Sequence, residues 1–317
     1  MSLHPQLAAW RDAGDFLTVQ PFNRRVFYRQ FGDQSASPEQ TLLLLHGFPE
    51  SSFSFHKIIE GMREQFSRIV VFDMIGYGFS DKPGADYSYS LVPQADVALQ
   101  VWQHLGVKGG HVVSHDMGTS VLTEIVARYV NEQLPANFSP GLLSITFTNG
   151  SMMLSLAKLR VMQKLLLSRI GFLAGSLMGH SRFCKTVLSA HGVGLDQPQG
   201  LTQLDLDLFW QSNLEQDGQR KNHHIIRYLN DRRRYESTRW LPALAVASKQ
   251  LATHFCWGDA DQVARVEMAR EMSTKLCPDA TLTEMPGVGH FCQLGSPELW
   301  VKGVSAFYAD RLNCKSY

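Results

Sequence analysis

Eight residues, His111-Val-Val-Ser-His-Asp-Met-Gly118, constrain the fold of this chain more than any other stretch. An apolar, β-branched run passes without a loop into a segment of helical period, Thr119 to Val130. A strand must therefore enter a helix through a sharp turn. Residues two positions either side of the tip of such a turn have to be small, because larger side chains clash in the elbow. Ser114 and Gly118 are small, and the residue between them is Asp116. Its side chain would stand above the sheet, with the N–H of Met117 facing it from the helix N-terminus. Aspartate at a strand-to-helix junction is also a common helix cap, and on this segment alone both readings stand. A serine nucleophile would require Gly-x-Ser-x-Gly, and no serine here has glycines on both sides. A nucleophile at this elbow is therefore a carboxylate.

Short apolar runs recur around the elbow. Thr41 to Leu45, Ile69 to Phe72, His111 to Val113 and Leu142 to Phe147 are each bounded by Gly, Asp or His. Continuous apolar runs of this length suit parallel strands covered on both faces. Helix candidates, Pro93 to Leu105 and Thr119 to Val130, lie between them, and Phe16–Val19 with Val26–Phe31 add an antiparallel edge in front. From Ser151 to about Trp240 the strands stop and Leu/Met-rich helical segments take over. Strand character resumes at Leu251–Trp257 and near Ala280–Met285, before a last helix from Pro297 to about Arg311. The pattern predicts an α/β fold, a mostly parallel sheet flanked by helices, with a helical cap inserted after the sixth strand. Residues 1–150 and 241–317 form the sheet domain and 151–240 the cap, lying over the strand ends where open α/β sheets bind ligands.

Composition narrows the partners. Thirty Lys and Arg against 29 Asp and Glu leave a net charge of +1, which gives no reason to expect nucleic acid or an anionic membrane as a partner. Five scattered cysteines, Cys184, Cys256, Cys277, Cys292 and Cys314, contain no CxxC pair and read as free thiols. The N-terminus shows no basic region followed by an apolar run, so a cytoplasmic protein is expected. Leu165 to Gly179 is interrupted by Arg169 and too short to span a bilayer, which argues against stable membrane insertion. The Ser151–Met178 segment is expected to bury its apolar face on the sheet domain, with contact to a membrane surface as the other reading. No HExxH or carboxylate–histidine cluster is present, so neither metal nor cofactor is expected. Arg232-Arg-Arg234 reads as a solvated cap face.

Three further segments bear on the elbow. His46-Gly-Phe-Pro49 follows a buried run, and the Phe48 N–H there would complete an oxyanion hole. Trp257-Gly-Asp-Ala-Asp261 ends a later strand, and Gly287-Val-Gly-His-Phe291 follows about thirty residues on. Nucleophile, acid and histidine thus occur in the chain order of the α/β-hydrolase triad. With HGFPESS at 46–52, DMIGYGFSDKP from Asp73, SHDMG at 114–118, an LSRIGF cap segment and DGQRKNHHIIRYLNDRRR at 217–234, the chain resembles α/β-hydrolase-fold proteins of the epoxide hydrolase and haloalkane dehalogenase group over nearly its whole length.

That resemblance implies Asp116 as nucleophile, His290 as base and Asp261 as the orienting acid, with Asp259 as a second candidate. Phe48 and Met117 would supply oxyanion-hole N–H groups, and His46, His115, Trp210 and Tyr235 would border the substrate. An ionised aspartate attacks an sp3 carbon without help from a base and forms an alkyl ester. A histidine-activated water then hydrolyses that ester. The substrate expected is a small hydrophobic organic molecule, most simply an epoxide, and the protein a monomer or homodimer. Epoxide opening needs a proton donor, for which Tyr228 is the first candidate; Tyr235, His223 and His224 are others. The alternatives are a haloalkane or haloacid dehalogenase and a non-catalytic ligand-binding member of the fold. Dehalogenases place halide-binding donors directly after the nucleophile and after the His-Gly turn. Met117 and Phe48 stand there, leaving Trp210 or Trp240 of the cap as substitutes or as simple packing.

Overall fold

A computed structural model describes residues 2–157 and 159–313, with side chains up to 309. Eight strands form one sheet: β1 (Asp15–Val19), β2 (Arg24–Gly32), β3 (Thr41–Leu45), β4 (Arg68–Phe72), β5 (Gly109–His115), β6 (Gly141–Thr148), β7 (Ala252–Gly258) and β8 (Thr281–Met285). Their spatial order is β1-β2-β4-β3-β5-β6-β7-β8. β1 and β2 pair antiparallel at one edge, and the other six strands are parallel. Every strand read from the sequence is present, with each end displaced by two residues at most.

The apolar runs fill both faces because successive side chains of a strand point to opposite sides. Leu43 and Leu45 of β3 join Val70 and Phe72 of β4 and Val112 of β5 in one core. Leu42 and Leu44 join Ile69, Val71 and Val113 in the other. The helices Leu91–His104 and Met117–Val130 cover the first face, and Pro297–Asn313 covers the second. Full burial of a leucine contributes about 1.5–3 kcal/mol, so the central strands alone hold the sheet firmly.

The cap follows β6 and consists of short helices: Val161–Leu167, Gly171–Ser176, His180–His191, Gln203–Leu214, Gly218–Ile225 and Leu229–Tyr235. Its later half is bolted to the sheet domain by buried polar contacts. Lys82 Nζ donates to the carbonyls of Ser212 (3.2 Å) and Glu215 (2.7 Å). Asp231 Oδ2 accepts from Ser90 Oγ (2.6 Å) and Leu91 N (2.7 Å). Glu124 receives Arg239 and the Trp240 indole N–H, the latter at 2.9 Å. Trp240 is thus an anchor of the cap rather than a halide donor.

Two expectations about the cap change. Arg232 is buried, not solvated: its Nε donates to Ser120 Oγ at 2.9 Å and its guanidinium lies 5.2 Å from the Tyr228 ring centroid. Arg233 and Arg234 are exposed. In the Ser151–Met178 segment the expectation holds in part: Met152 and Leu166 are buried, and Met153, Leu156, Leu159, Met162 and Leu167 pack against the same core, but Val161, Ile170, Phe172, Leu173 and Leu177 face solvent. Cys184, Cys256, Cys277 and Cys292 are buried free thiols, and Cys314 lies outside the described residues. No helix among the described residues is long and apolar enough to cross a membrane.

Candidate active site

β5 turns into the helix Met117–Val130 through Asp116, whose backbone sits at φ 44°, ψ −112°. A non-glycine residue in such a region costs about 1–3 kcal/mol and persists only where its surroundings over-determine it. Two glycines permit that enclosure. A Cβ on Gly118 would lie 2.5 Å from the Leu45 carbonyl oxygen and 2.6 Å from that of His46. One on Gly47 would lie 2.6 Å from Asp116 Cβ. The chain leaving β3 therefore runs directly against the elbow, and the Phe48 N–H donates to Asp116 Oδ2 at 2.9 Å. Met117 opens the helix, where the first N–H groups have no partner in the helix itself.

His290 enters from the loop after β8. Its Nδ1–H donates to Asp261 Oδ2 at 2.8 Å, and its Nε2 stands 3.9 Å from Asp116 Oδ1. Asp261 also accepts from Asn149 Nδ2 (2.8 Å) and from the N–H groups of Val263 (2.6 Å) and Ala264 (2.9 Å). Asn149 in turn accepts from the Gly258 N–H at 3.0 Å, tying the end of β6 to the end of β7. Asp259, the second candidate acid, instead accepts from the Gly287 N–H at 2.7 Å and holds the histidine loop. Burial opposes a charge on His290, but Asp261, then Asp116 and Glu50, outweigh it and raise its pKa to about 9. The two aspartates thus favour the imidazolium form of the ring.

A second polar layer lies behind the elbow. Glu50 accepts from the Gly47 N–H (3.1 Å) and Gln293 Nε2 (2.7 Å), and its Oε2 lies 3.2 Å from His115 Nε2. Burial pushes Glu50 up to about 8. His115 is driven well below the usual imidazole range, first by burial and then by His290, so it stays neutral. His46 accepts from the Met74 N–H at Nε2 (3.0 Å), its Nδ1 lies 2.9 Å from the Gly47 carbonyl, and burial lowers its pKa to about 4. His191 closes the layer on the cap side. Its carbonyl accepts from the His290 N–H at 2.9 Å, and its Nδ1 accepts from the Phe291 N–H at 3.1 Å.

A cavity of about 680 Å³, measured to its open mouth, rises from Asp116 and His290 into the cap. Phe48, Met162, Leu166, Val187 and Phe291 give it an apolar wall, with Asn222 and Gln163 among the polar groups. No group of three or more His, Cys, Asp or Glu among the described residues is arranged to hold a metal.

The family model for the alpha/beta hydrolase fold matches residues 40–297, most of the chain and every element that builds this site. The chain belongs to the alpha/beta hydrolase family. This hydrolase is 33% identical to LipZ of Mycobacterium tuberculosis over 306 residues, 96% of this chain and 99% of LipZ. It is 29% identical to the mesoderm-specific transcript protein of Mus musculus over 300 residues, 93% and 85% of the two chains. Among solved structures, a haloalkane dehalogenase variant from Bradyrhizobium elkanii superposes with a TM-score of 0.74 at 18% identity, covering 96% and 99%. The epoxide hydrolase CorEH gives 0.68 at 18% identity, covering 94% and 99%.

In this hydrolase the elbow, the histidine loop and the Asp261 loop meet where the sequence brings them, and Phe48 joins them. Tyr228 is buried and is not among the residues lining the cavity; its ring lies 5.9 Å from that of Phe48, which does line it. Burial, then the charge of Asp116, raises its phenol far above the ordinary range and keeps it protonated. His46, His115, Trp210 and Tyr235 do not border the cavity. The two histidines are consumed in the layer behind the elbow. Trp210 packs on Phe183 at 5.1 Å, and Tyr235 on Trp240 at 5.6 Å. His223 and His224 face each other, ring centroids 3.9 Å apart, also away from the cavity. Sequence reading missed Asn149, Glu50, Gln293 and His191. Glu50 lies inside the HGFPESS motif, so a signal existed; the other three are recognisable only once the loops are folded.

Proposed function

We propose that this hydrolase opens a small hydrophobic epoxide to a diol through an ester on Asp116. The observation that carries the reading is a carboxylate at the elbow tip, with one oxygen on the Phe48 N–H and the other 3.9 Å from His290 Nε2. Asp116 Oδ1 attacks an epoxide carbon as the C–O bond breaks, and the Tyr228 O–H protonates the leaving oxygen. Esterification removes the negative charge of Asp116, one of the causes that hold His290 protonated. The imidazolium then gives its proton up to the tyrosinate and becomes a base. A water loses a proton to His290 as it adds to the ester carbonyl carbon, and the N–H groups of Phe48 and Met117 receive the oxyanion. Collapse breaks the acyl C–O bond. The diol oxygen takes up the carboxyl proton, restoring the carboxylate and imidazolium. The apolar cavity wall favours a hydrophobic substrate.

Intact-protein mass measured after mixing a His290→Gln variant with epoxides and haloalkanes tests this reading. Without its base the ester accumulates, and an adduct of the whole epoxide mass is expected. An alkyl adduct lacking halogen would move the assignment to dehalogenation. A broad panel leaving the mass unchanged would overturn covalent chemistry at Asp116.

A further inference from the structure

The cap presents an inverted amphipathic face. In and around the helix Gly171–Ser176, Gly171 and Gly175 are buried, the latter so closely that a Cβ would lie 2.6 Å from the Gln219 carbonyl oxygen. Ile170, Leu173 and Leu177, spaced i, i+3, i+7 and so on one side, are 54%, 44% and 67% exposed. Phe172 is 50% exposed and Val161, at the start of the preceding helix, 82%. Only two other large hydrophobics among the described residues are this exposed, Leu204 and Val246. A surface helix ordinarily turns such a stripe inward. A contiguous exposed apolar patch of this kind marks an interaction surface.

The charge around the patch says what it meets. Between 151 and 195 there is no Asp or Glu, while Lys158, Arg160, Lys164, Arg169, Arg182 and Lys185 fall in the same stretch. The whole chain is net +1, so the remainder of the chain is net negative. Lys164, Arg169, Arg182 and Lys185 are exposed, and none forms an ion pair with another described residue. Exposed apolar side chains interspersed along the chain with exposed cations that form no ion pair match the boundary of an anionic bilayer, whose headgroups take the charges and whose acyl chains take the apolar tips. A second copy docked about a twofold axis would set these like charges face to face.

The cavity opens beside this patch. Arg160, Met162, Gln163, Leu166, Met178 and Thr186 line it. A recess at the surface shares Arg160, Met162 and Thr186 with it and adds Val161 and Lys185. We propose that cap residues 160–185 form a peripheral docking surface for an anionic phospholipid bilayer, placed so that hydrophobic molecules dissolved in the acyl chains reach the cavity directly. The surface goes beyond the reaction proposed above and does not depend on it.

Flotation with vesicles of phosphatidylglycerol and phosphatidylcholine, or of phosphatidylcholine alone, provides the test. The full chain is expected to float with the anionic vesicles in low salt and to remain below with the neutral ones. Leu173→Ser/Leu177→Ser and Lys164→Glu/Arg169→Glu are each expected to lower the floated fraction at least tenfold with unchanged thermal melts, since all four side chains are exposed. Asp116→Asn should float like the natural sequence, which separates docking from chemistry. Failure to float with anionic vesicles, or flotation unaffected by both double variants, overturns the proposal. So does a dimer in sedimentation equilibrium that Leu173→Ser/Leu177→Ser makes monomeric.

Discussion

Replacing Asp116 with Asn removes one charge facing His290 and leaves the side chain nearly isosteric. At the observed 3.9 Å, and with an effective dielectric constant of about 20, that charge stabilises the imidazolium by about 4 kcal/mol. Such an energy corresponds to roughly three pH units; at the dielectric constant of water it would be about 1 kcal/mol, less than one unit. His290 now stands at about 9, and Asp261 stays bonded to it in the variant. The His290 ring is therefore expected to titrate near 9 in the natural protein and two to three units lower, close to neutrality, in the variant. Stability follows the same sign. A base raised in the folded state stabilises fully below its unfolded pKa of about 6.5 and loses that contribution as pH rises through about 9. Asp116→Asn should flatten stability between those limits. The assay is the pH course of the His290 Hε1 resonance, beside denaturant midpoints from pH 6 to 10, with mass spectrometry excluding deamidation. Equal midpoints in both proteins would refute the pairing of Asp116 with His290. A shift below one unit would mean that water fills the gap between them.

Three other outcomes follow from the same geometry. Tyr228→Phe, in the His290→Gln background, should slow formation of the epoxide adduct about 10²-fold, and a loss under twofold would remove Tyr228 from the reaction. Asn149→Ala withdraws a donor from Asp261 and leaves the buried Gly258 N–H without its partner. A loss of about 1–3 kcal/mol is expected from chemical denaturation. Gly118→Ala forces a methyl group to within 2.6 Å of two backbone carbonyls that cannot swing away. It should lower stability by about 1–3 kcal/mol or more and depress adduct formation at Asp116, as measured by denaturation and intact mass.

The sheet was legible because its strands are buried on both faces, so that Leu42–Leu45 or Ile69–Phe72 stand out as unbroken apolar runs. The elbow was legible because steric demand at one turn selects small residues at fixed offsets. The cap was harder. Arg232 lies in a run of three arginines that reads as a solvated face, and only its position over Tyr228 takes it inside. The Ser151–Met178 segment has the composition of a core element, yet Gly171 and Gly175 turn its helix so that the large side chains face out. His46 and His115 misled for a related reason. Their sequence neighbourhood is that of the site, but each points behind Asp116, where burial keeps it neutral and bonded to the turns. Sequence period reports which face is apolar; whether that face meets the sheet or the solvent is decided by tertiary packing.

The cap is inserted between β6 and β7, and it divides the site along the chain as well as roofing it. Asp116 precedes the insertion, whereas Asp261 and His290 follow it. A ribosome adding 5–20 residues per second needs on the order of ten to thirty seconds to extend the chain from the first of these to the last. During that interval the emerging β-strands can assemble around an elbow that already carries its carboxylate but has no imidazole to discharge an ester. An electrophile captured so early would stay bound until β7 and β8 join the sheet. For the reaction proposed above, the order of synthesis thus makes the late joining of β7 and β8, whose loops carry Asp261 and His290, the step at which a single-use alkylation trap becomes a turnover catalyst.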